Sequence, residues 1–180
     1  MTNTLRLRLA APADLPALKA VMDLAIAALL KPYLPPEGVA ASFEIMGLDS
    51  QLVADGTYFL VEDGGALAGC GGWSRRATLY GGDHSASRDP ALLDPERDPA
   101  KIRAMYTHPR FTRRGVGRLI LARCESAARA EGFTRLELMA TLSGRPLYEA
   151  SGFTTIENVE DASGGVPVPL VRMRKQLPSA

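Results

Sequence analysis

Thr112-Arg113-Arg114-Gly115-Val116-Gly117-Arg118 is the stretch whose residue types and spacing best suit a chemical task. It follows an extended run over 102–108 and opens a helical pattern that lasts to Glu131. Backbone N–H groups left unpaired at a helix start point out of the turn and, with the positive end of the helix dipole, form a ready anion site. Gly115 and Gly117 allow a ligand close to the backbone, and Arg113, Arg114 and Arg118 add positive charge around the same point. The expected guest carries phosphate. The bland alternative is a helix start whose glycines relieve crowding and whose arginines form a solvated face.

Two familiar phosphate motifs are excluded. A Walker A loop needs Lys-Ser/Thr after its last glycine, and Gly117 is followed by Arg118 and Leu119. In a dinucleotide fingerprint Ile120 would have to be glycine, and the carboxylate expected about 20 residues on finds only Glu137, on a later strand.

A second motif lies downstream, Tyr148-Glu149-Ala150-Ser151-Gly152-Phe153. Together the two resemble the GNAT superfamily of N-acetyltransferases, whose signature is Gln/Arg-x-x-Gly-x-Gly/Ala on a strand-loop-helix followed by Tyr-x-x-x-Gly-Phe on a short helix. The match is firmest over 101–157, and Thr112 stands where the family has Gln or Arg. The resemblance implies an α/β, mixed α+β fold with a central, mostly antiparallel sheet flanked by helices, and acetyl-CoA as cosubstrate. It implies that the strand over 102–108 splays from the one over 136–140. The open backbone of Met105, Tyr106 and Thr107 then pairs with the pantetheine arm, and the pyrophosphate sits on the N–H groups of Arg113, Arg114, Gly115, Val116, Gly117 and Arg118. Thr141 replaces a common Asn, so Thr141 and Ser143 are expected to supply hydroxyl contacts.

Tyr148 occupies the family's general-acid position. An ordinary phenol, with a pKa of about 10, is protonated at neutral pH and can donate to a departing thiolate. For the base, Lys101 stands where some members carry Glu, so none is assigned; solvent water, His84 or a loop carboxylate are the options. The expected activity is acetyl transfer to a small-molecule or protein amine, the alternative being a non-catalytic acyl-CoA-binding or sensing protein.

Composition narrows the partners. Basic and acidic residues number 21 and 20, a formal net charge of +1, which suits neither a nucleic-acid binder nor a membrane-surface protein. Cys70 and Cys124 lie far apart without metal spacing and read as buried thiols, so no metal is expected. No secretory signal or membrane span is read, and the expectation is one domain over 1–180, cytoplasmic, with a homodimer allowed. At this length a chain buries roughly 70% of its extended surface, enough for a core.

The elements that must position these groups are legible as patterns. Leu5, Leu7 and Leu9 alternate with arginines as a strand; Asp14 is the expected cap of a helix whose apolar face carries Leu15, Leu18, Met22, Ile26 and Leu29. Pro35 and Pro36 open a weaker helical stretch towards Asp49, which by resemblance borders the acceptor groove. Asp63-Gly64-Gly65 turns a hairpin, and Gly69, Gly71 and Gly72 in its second arm mark a bulge or a close neighbour. Residues 77–100 form an irregular stretch longer than the usual limit of about 12–15, predicted to serve function or to be disordered. Its Asp89, Asp94, Glu96 and Asp98 could attract a cationic amine. Val116, Leu119, Ile120, Cys124, Ala127 and Ala128 stripe the central helix, which Gly132 ends. Ser143 is the expected cap of the short helix before Gly152, and Pro167 and Pro169 place the last strand at an edge or at its start.

Overall fold

Leucine alternation at the start of the chain does produce a strand, and six more join it in one sheet. The computed structural model describes residues 5–178. The strands are β1 (Leu5–Leu9), β2 (Tyr58–Asp63), β3 (Ala66–Ser74), β4 (Ala100–Thr107), β5 (Arg135–Thr141), β6 (Thr154–Asp161) and β7 (Val168–Gln176), in the order β1-β2-β3-β4-β5-β7-β6. All neighbours are antiparallel except β4 and β5. Five helices, α1 (Leu15–Leu29), α2 (Pro36–Ile45), α3 (Ser50–Ala54), α4 (Val116–Ala130) and α5 (Arg145–Ala150), complete the α+β architecture. Among the described residues no helix is long and apolar enough to cross a membrane.

Two helices sandwich the sheet. On one face α4 buries Val116, Ile120, Leu121, Cys124 and Ala128 against Val61, Ile102, Leu136, Leu138 and Ala140, with Trp73 edge-on to Phe133 beneath it. On the other, Leu18, Val21 and Met22 of α1 meet Tyr58, Leu60 and Cys70. The glycines of β3 make this closeness possible. A Cβ at Gly69 would stand 2.6 Å from Val116 Cγ1, and one at Gly71 would stand 2.2 Å from Met105 Sδ.

β4 carries an irregularity opposite the β3 glycines that the sequence marked for a bulge or a close neighbour. Cys70 pairs with Tyr106 but Gly72 pairs with Arg103, so one residue too many is accommodated, and Ala104 takes a left-handed φ of 49°. Such a bulge reverses which face the following side chains occupy. Ala100 and Ile102 therefore pack under α4, whereas Ala104 and Tyr106 join the α1 side and Met105 returns to the α4 side. The Tyr58 hydroxyl donates to Ala104 O at 2.6 Å and fixes the bulge.

Two local expectations need correction. Asp14 stands at the start of α1 but makes no cap bond to it; its carboxylate accepts from Ala11 N and from Arg8. Ser143 does not cap α5, because Pro146 lacks the N–H such a cap would bond; Thr141 Oγ1 accepts from Gly144 N instead. Of the two readings of Pro167 and Pro169, edge or strand start, the second holds: β7 lies inside the sheet, between β5 and β6, and begins at Val168. Its Pro169 is tolerated near the strand start, where pairing with β5 has not yet begun.

Candidate active site

β4 and β5 are parallel neighbours for only two residue pairs, Ala100 with Leu136 and Lys101 with Glu137. Beyond them the strands diverge, and the β5-facing edge of β4 has no ladder partner from Ile102 onward. A cavity of about 880 Å³ opens there, within the size range of small-molecule sites. Its walls include Met105, Tyr106 and Thr107 of β4, Thr141, Ser143 and Gly144 after β5, and Tyr148 of α5.

One end of the cavity is the start of α4. Gly115 caps that helix with a left-handed φ of 85° and no side chain, and Leu119 N is the first to find an intrahelical acceptor, Gly115 O. The N–H groups of Val116, Gly117 and Arg118 are the free donors of the first turn. Arg113 is left-handed as well, at 62°, and alternation of this kind aims successive N–H groups into one concavity. Thr112, Arg113, Gly115, Val116, Gly117 and Arg118 all line the cavity. Arg114 does not: its guanidinium lies over the Phe111 ring and pairs with Asp63 at 2.6 Å. Gly117 has an ordinary backbone, and a Cβ there would meet Leu147 Cδ2 at 2.8 Å.

Tyr148 is buried, 7% exposed, and meets Phe153 edge-on with ring centroids 5.8 Å apart. Burial pushes its phenol well above the ordinary value, so the hydroxyl stays a proton donor across neutral pH. Burial likewise raises the Cys70 thiol to about 12, leaving it inert, and both cysteines are buried as expected. Thr141 Oγ1 and Ser143 Oγ are 3.1 Å apart on the wall beside α5.

The opposite end is formed by α1, α2 and the 77–100 excursion, which is a tied strap. Thr78 and Asp89 bond each other across it, and Arg103 on β4 reaches up to Thr78 O, Gly81 O and Asp49 Oδ2. Asp49, which also caps α3, receives Arg88 too. Only Leu79, Tyr80 and Gly81 of the strap line the cavity. His84 is bonded to Glu44 O, Asp83 caps the backbone at Ser50, and Asp89, Asp94, Glu96 and Asp98 are not on the cavity wall. The acidic strap therefore does not present its carboxylates to the site. Lys101 is sequestered on Glu137, which also binds Arg172.

Sequence reasoning had no sight of the pairing of Arg103 with Asp49; it read a bulge or a close neighbour from the glycines of β3, and both occur there, but it did not place the extra residue at Ala104 of β4. A basic residue in an otherwise β-prone run was the available signal for Arg103, and the glycines of β3 were the signal for the bulge.

A split parallel pair, a helix start bare of side-chain caps and a tyrosine at their junction define an acyl-CoA-type acetyltransferase architecture. The model of the Acetyltransferase (GNAT) family matches residues 19–153, and the chain belongs to that family. Solved structures with the same fold include a GCN5-related N-acetyltransferase from Rhodopseudomonas palustris, 20% identical, with a TM-score of 0.71 and coverage of 97% of this chain and 96% of that one. The PaiA N-acetyltransferase from Thermoplasma acidophilum, solved with coenzyme A, is 14% identical with a TM-score of 0.64, over 96% and 98% of the two chains. A ribosomal-protein-alanine N-acetyltransferase from Brucella melitensis is 19% identical with a TM-score of 0.64, over 96% and 99%. No curated protein matches the chain in sequence.

Proposed function

We propose that this protein is an N-acetyltransferase that moves the acetyl group of acetyl-CoA directly to a primary amine. The observation that carries the reading is a single cavity joining the bare start of α4, the unpaired edge of β4 and the buried Tyr148. The N–H groups of Val116, Gly117 and Arg118, with the Arg113 and Arg118 side chains, hold the pyrophosphate; Arg114 contributes its backbone and not its side chain. Met105, Tyr106 and Thr107 take the pantetheine amides as an added strand. Ser143 and Thr141 stand beside the same arm. That the PaiA structure holds coenzyme A on this fold supports the assignment.

In the reaction the neutral amine attacks the thioester carbonyl, the carbonyl oxygen takes up negative charge, and the C–S bond breaks as the carbonyl re-forms. The leaving sulfur accepts the Tyr148 proton, and the new ammonium centre gives up its own to solvent, from which the phenol is replenished. No carboxylate or imidazole stands among the described residues lining the cavity. The amine therefore loses its first proton to water rather than to a side chain.

The test is acetyl-CoA titration by calorimetry together with amine-dependent release of CoA thiol. Micromolar binding and release that depends on added amine are expected. Binding without release under any amine would leave an acyl-CoA-binding or sensing protein, the alternative reading.

A further inference from the structure

The acceptor end of the cavity is an apolar surface. Ile45 of α2, Met46 just after it, Tyr80 of the strap, Met139 of β5 and Leu170 of β7 pack into one cluster, and each also lines the cavity. Tyr33, 48% exposed, stands at its rim. Among the described lining residues there is no Asp, Glu or His, and the charged side chains are Arg103, Arg113 and Arg118. Two of these belong to the phosphate end. Arg103 is 3% exposed, and its guanidinium is already engaged by the Asp49 carboxylate and by two strap carbonyls.

The nearby carboxylates are occupied and stand outside the wall. Asp49 is shared between Arg103 and Arg88, and Asp161 accepts from the Tyr80 hydroxyl and from Ser163. A second ammonium on the acceptor would be stripped of water here with no carboxylate to receive it, which is costly. An α-carboxylate would meet only a cation already neutralised. A flat or branched hydrocarbon body, by contrast, exchanges water for the cluster's apolar atoms and for aromatic contact with the tyrosines.

Building on the acetyl-transfer reading, we propose that the acceptor is a lipophilic monoamine: one primary amine carried on an apolar, aromatic-sized body. Polyamines, free amino acids and peptide N-termini are then poor acceptors.

The experiment compares kcat/KM for 2-phenylethylamine, spermidine, phenylalanine and a short peptide beginning with alanine, with acetyl-CoA binding measured in parallel. Phenylethylamine is expected to lead each of the others by about tenfold or more. Tyr33→Asp, at an exposed position that folding tolerates, adds a rim carboxylate and should raise spermidine relative to phenylethylamine by about tenfold. If spermidine, phenylalanine or the peptide leads in the unmodified protein, or if the rim carboxylate leaves the ratio unchanged, the acceptor class is overturned while acetyl transfer stands. If acetyl-CoA binds and none of these amines releases CoA, the transfer reading falls and takes the acceptor class with it.

Discussion

At the residue scale the two glycines at the start of α4 do different jobs. Gly115 needs its left-handed backbone, and a Cβ there would meet nothing within 4 Å; Gly117 needs room, because its Cβ would meet Leu147. Forcing a β-branched residue into the left-handed region costs about 1–2 kcal/mol. Gly115→Val is accordingly expected to weaken acetyl-CoA binding by roughly 5–30-fold as the first-turn N–H groups turn away. Gly117→Val should instead act on rate, by displacing Leu147 beside Tyr148. Calorimetry set against single-turnover transfer separates the two, and equal affinity in wild type and Gly115→Val would remove the loop from the cosubstrate site. Tyr148→Phe keeps the ring against Phe153, so the fold should survive. Loss of a general acid should lower single-turnover transfer by about 10²–10⁴-fold with acetyl-CoA affinity unchanged. Since burial raises the phenol's pKa, its protonated, donating form persists as pH rises through the ordinary tyrosine value. The amine, by contrast, gains its reactive neutral form as pH rises. The transfer rate should thus climb with pH towards the acceptor's own pKa, with no falling limb near pH 10. An unchanged rate in the Phe variant would make Tyr148 a packing residue.

The element that most shapes the proposed acceptor end is the strap over 77–100; Tyr80 ties it to Asp161 of β6 and Arg135 of β5 ties it at Arg97 O, but its most buried tie to the sheet is one arginine. Arg103 is buried and bonded to Thr78 O, Gly81 O and Asp49. Removing one member of a buried charged pair typically costs about 3–5 kcal/mol, and here, where Asp49 keeps Arg88 while the Thr78 and Gly81 carbonyls lose their donor, the low end of that range applies. Arg103→Met is expected to destabilise the protein on that scale in urea melts. In the surviving folded fraction it should raise the acceptor KM more than it weakens acetyl-CoA. Equal loss of both would mean that the strap does not belong to the acceptor side. This tie also shows where sequence reading stops. The glycine-arginine loop that opens α4, the short helix with Tyr148, the hairpin turn and the α4 stripe are local patterns and were legible. The link between Asp49 and Arg103 spans 54 residues, and nothing near either position encodes the other. The Ala104 bulge is held by Tyr58 from another strand, against the intrinsic preference of alanine. Ser143 was read as a cap from its type alone, and Pro146 within the first turn of α5 defeats that reading. Pro167 and Pro169 left an edge and a strand start open; the strand start holds, since the strand gains its second neighbour only after the proline has passed.

For the whole molecule, the consequence of the split between β4 and β5 is a sheet whose two halves share hydrogen bonds at one end only. The α4-side core bridges both halves, since Ile102 of β4 and Leu136 and Leu138 of β5 lie in one cluster with Ile120 and Cys124. The molecule is therefore held together below the cavity by apolar packing, while the open end leaves backbone donors and acceptors of β4 to solvent. A ligand that pairs with those groups should stabilise the fold without reshaping it. For a ligand at one hundred times its Kd the gain is about 2.7 kcal/mol, which in a chain of this size corresponds to a rise in Tm of roughly 5–10 °C. The expected accompaniment is slower amide exchange at Met105, Tyr106 and Thr107 and at the first turn of α4. Exchange in the far strands β1 and β2 should change only as the global stability does. Gly115→Val should lose about one third to two thirds of the thermal shift at the same acetyl-CoA concentration. A shift of the same size in that variant, or protection spread evenly over the sheet, would mean that acetyl-CoA is held elsewhere than in the opening between β4 and β5.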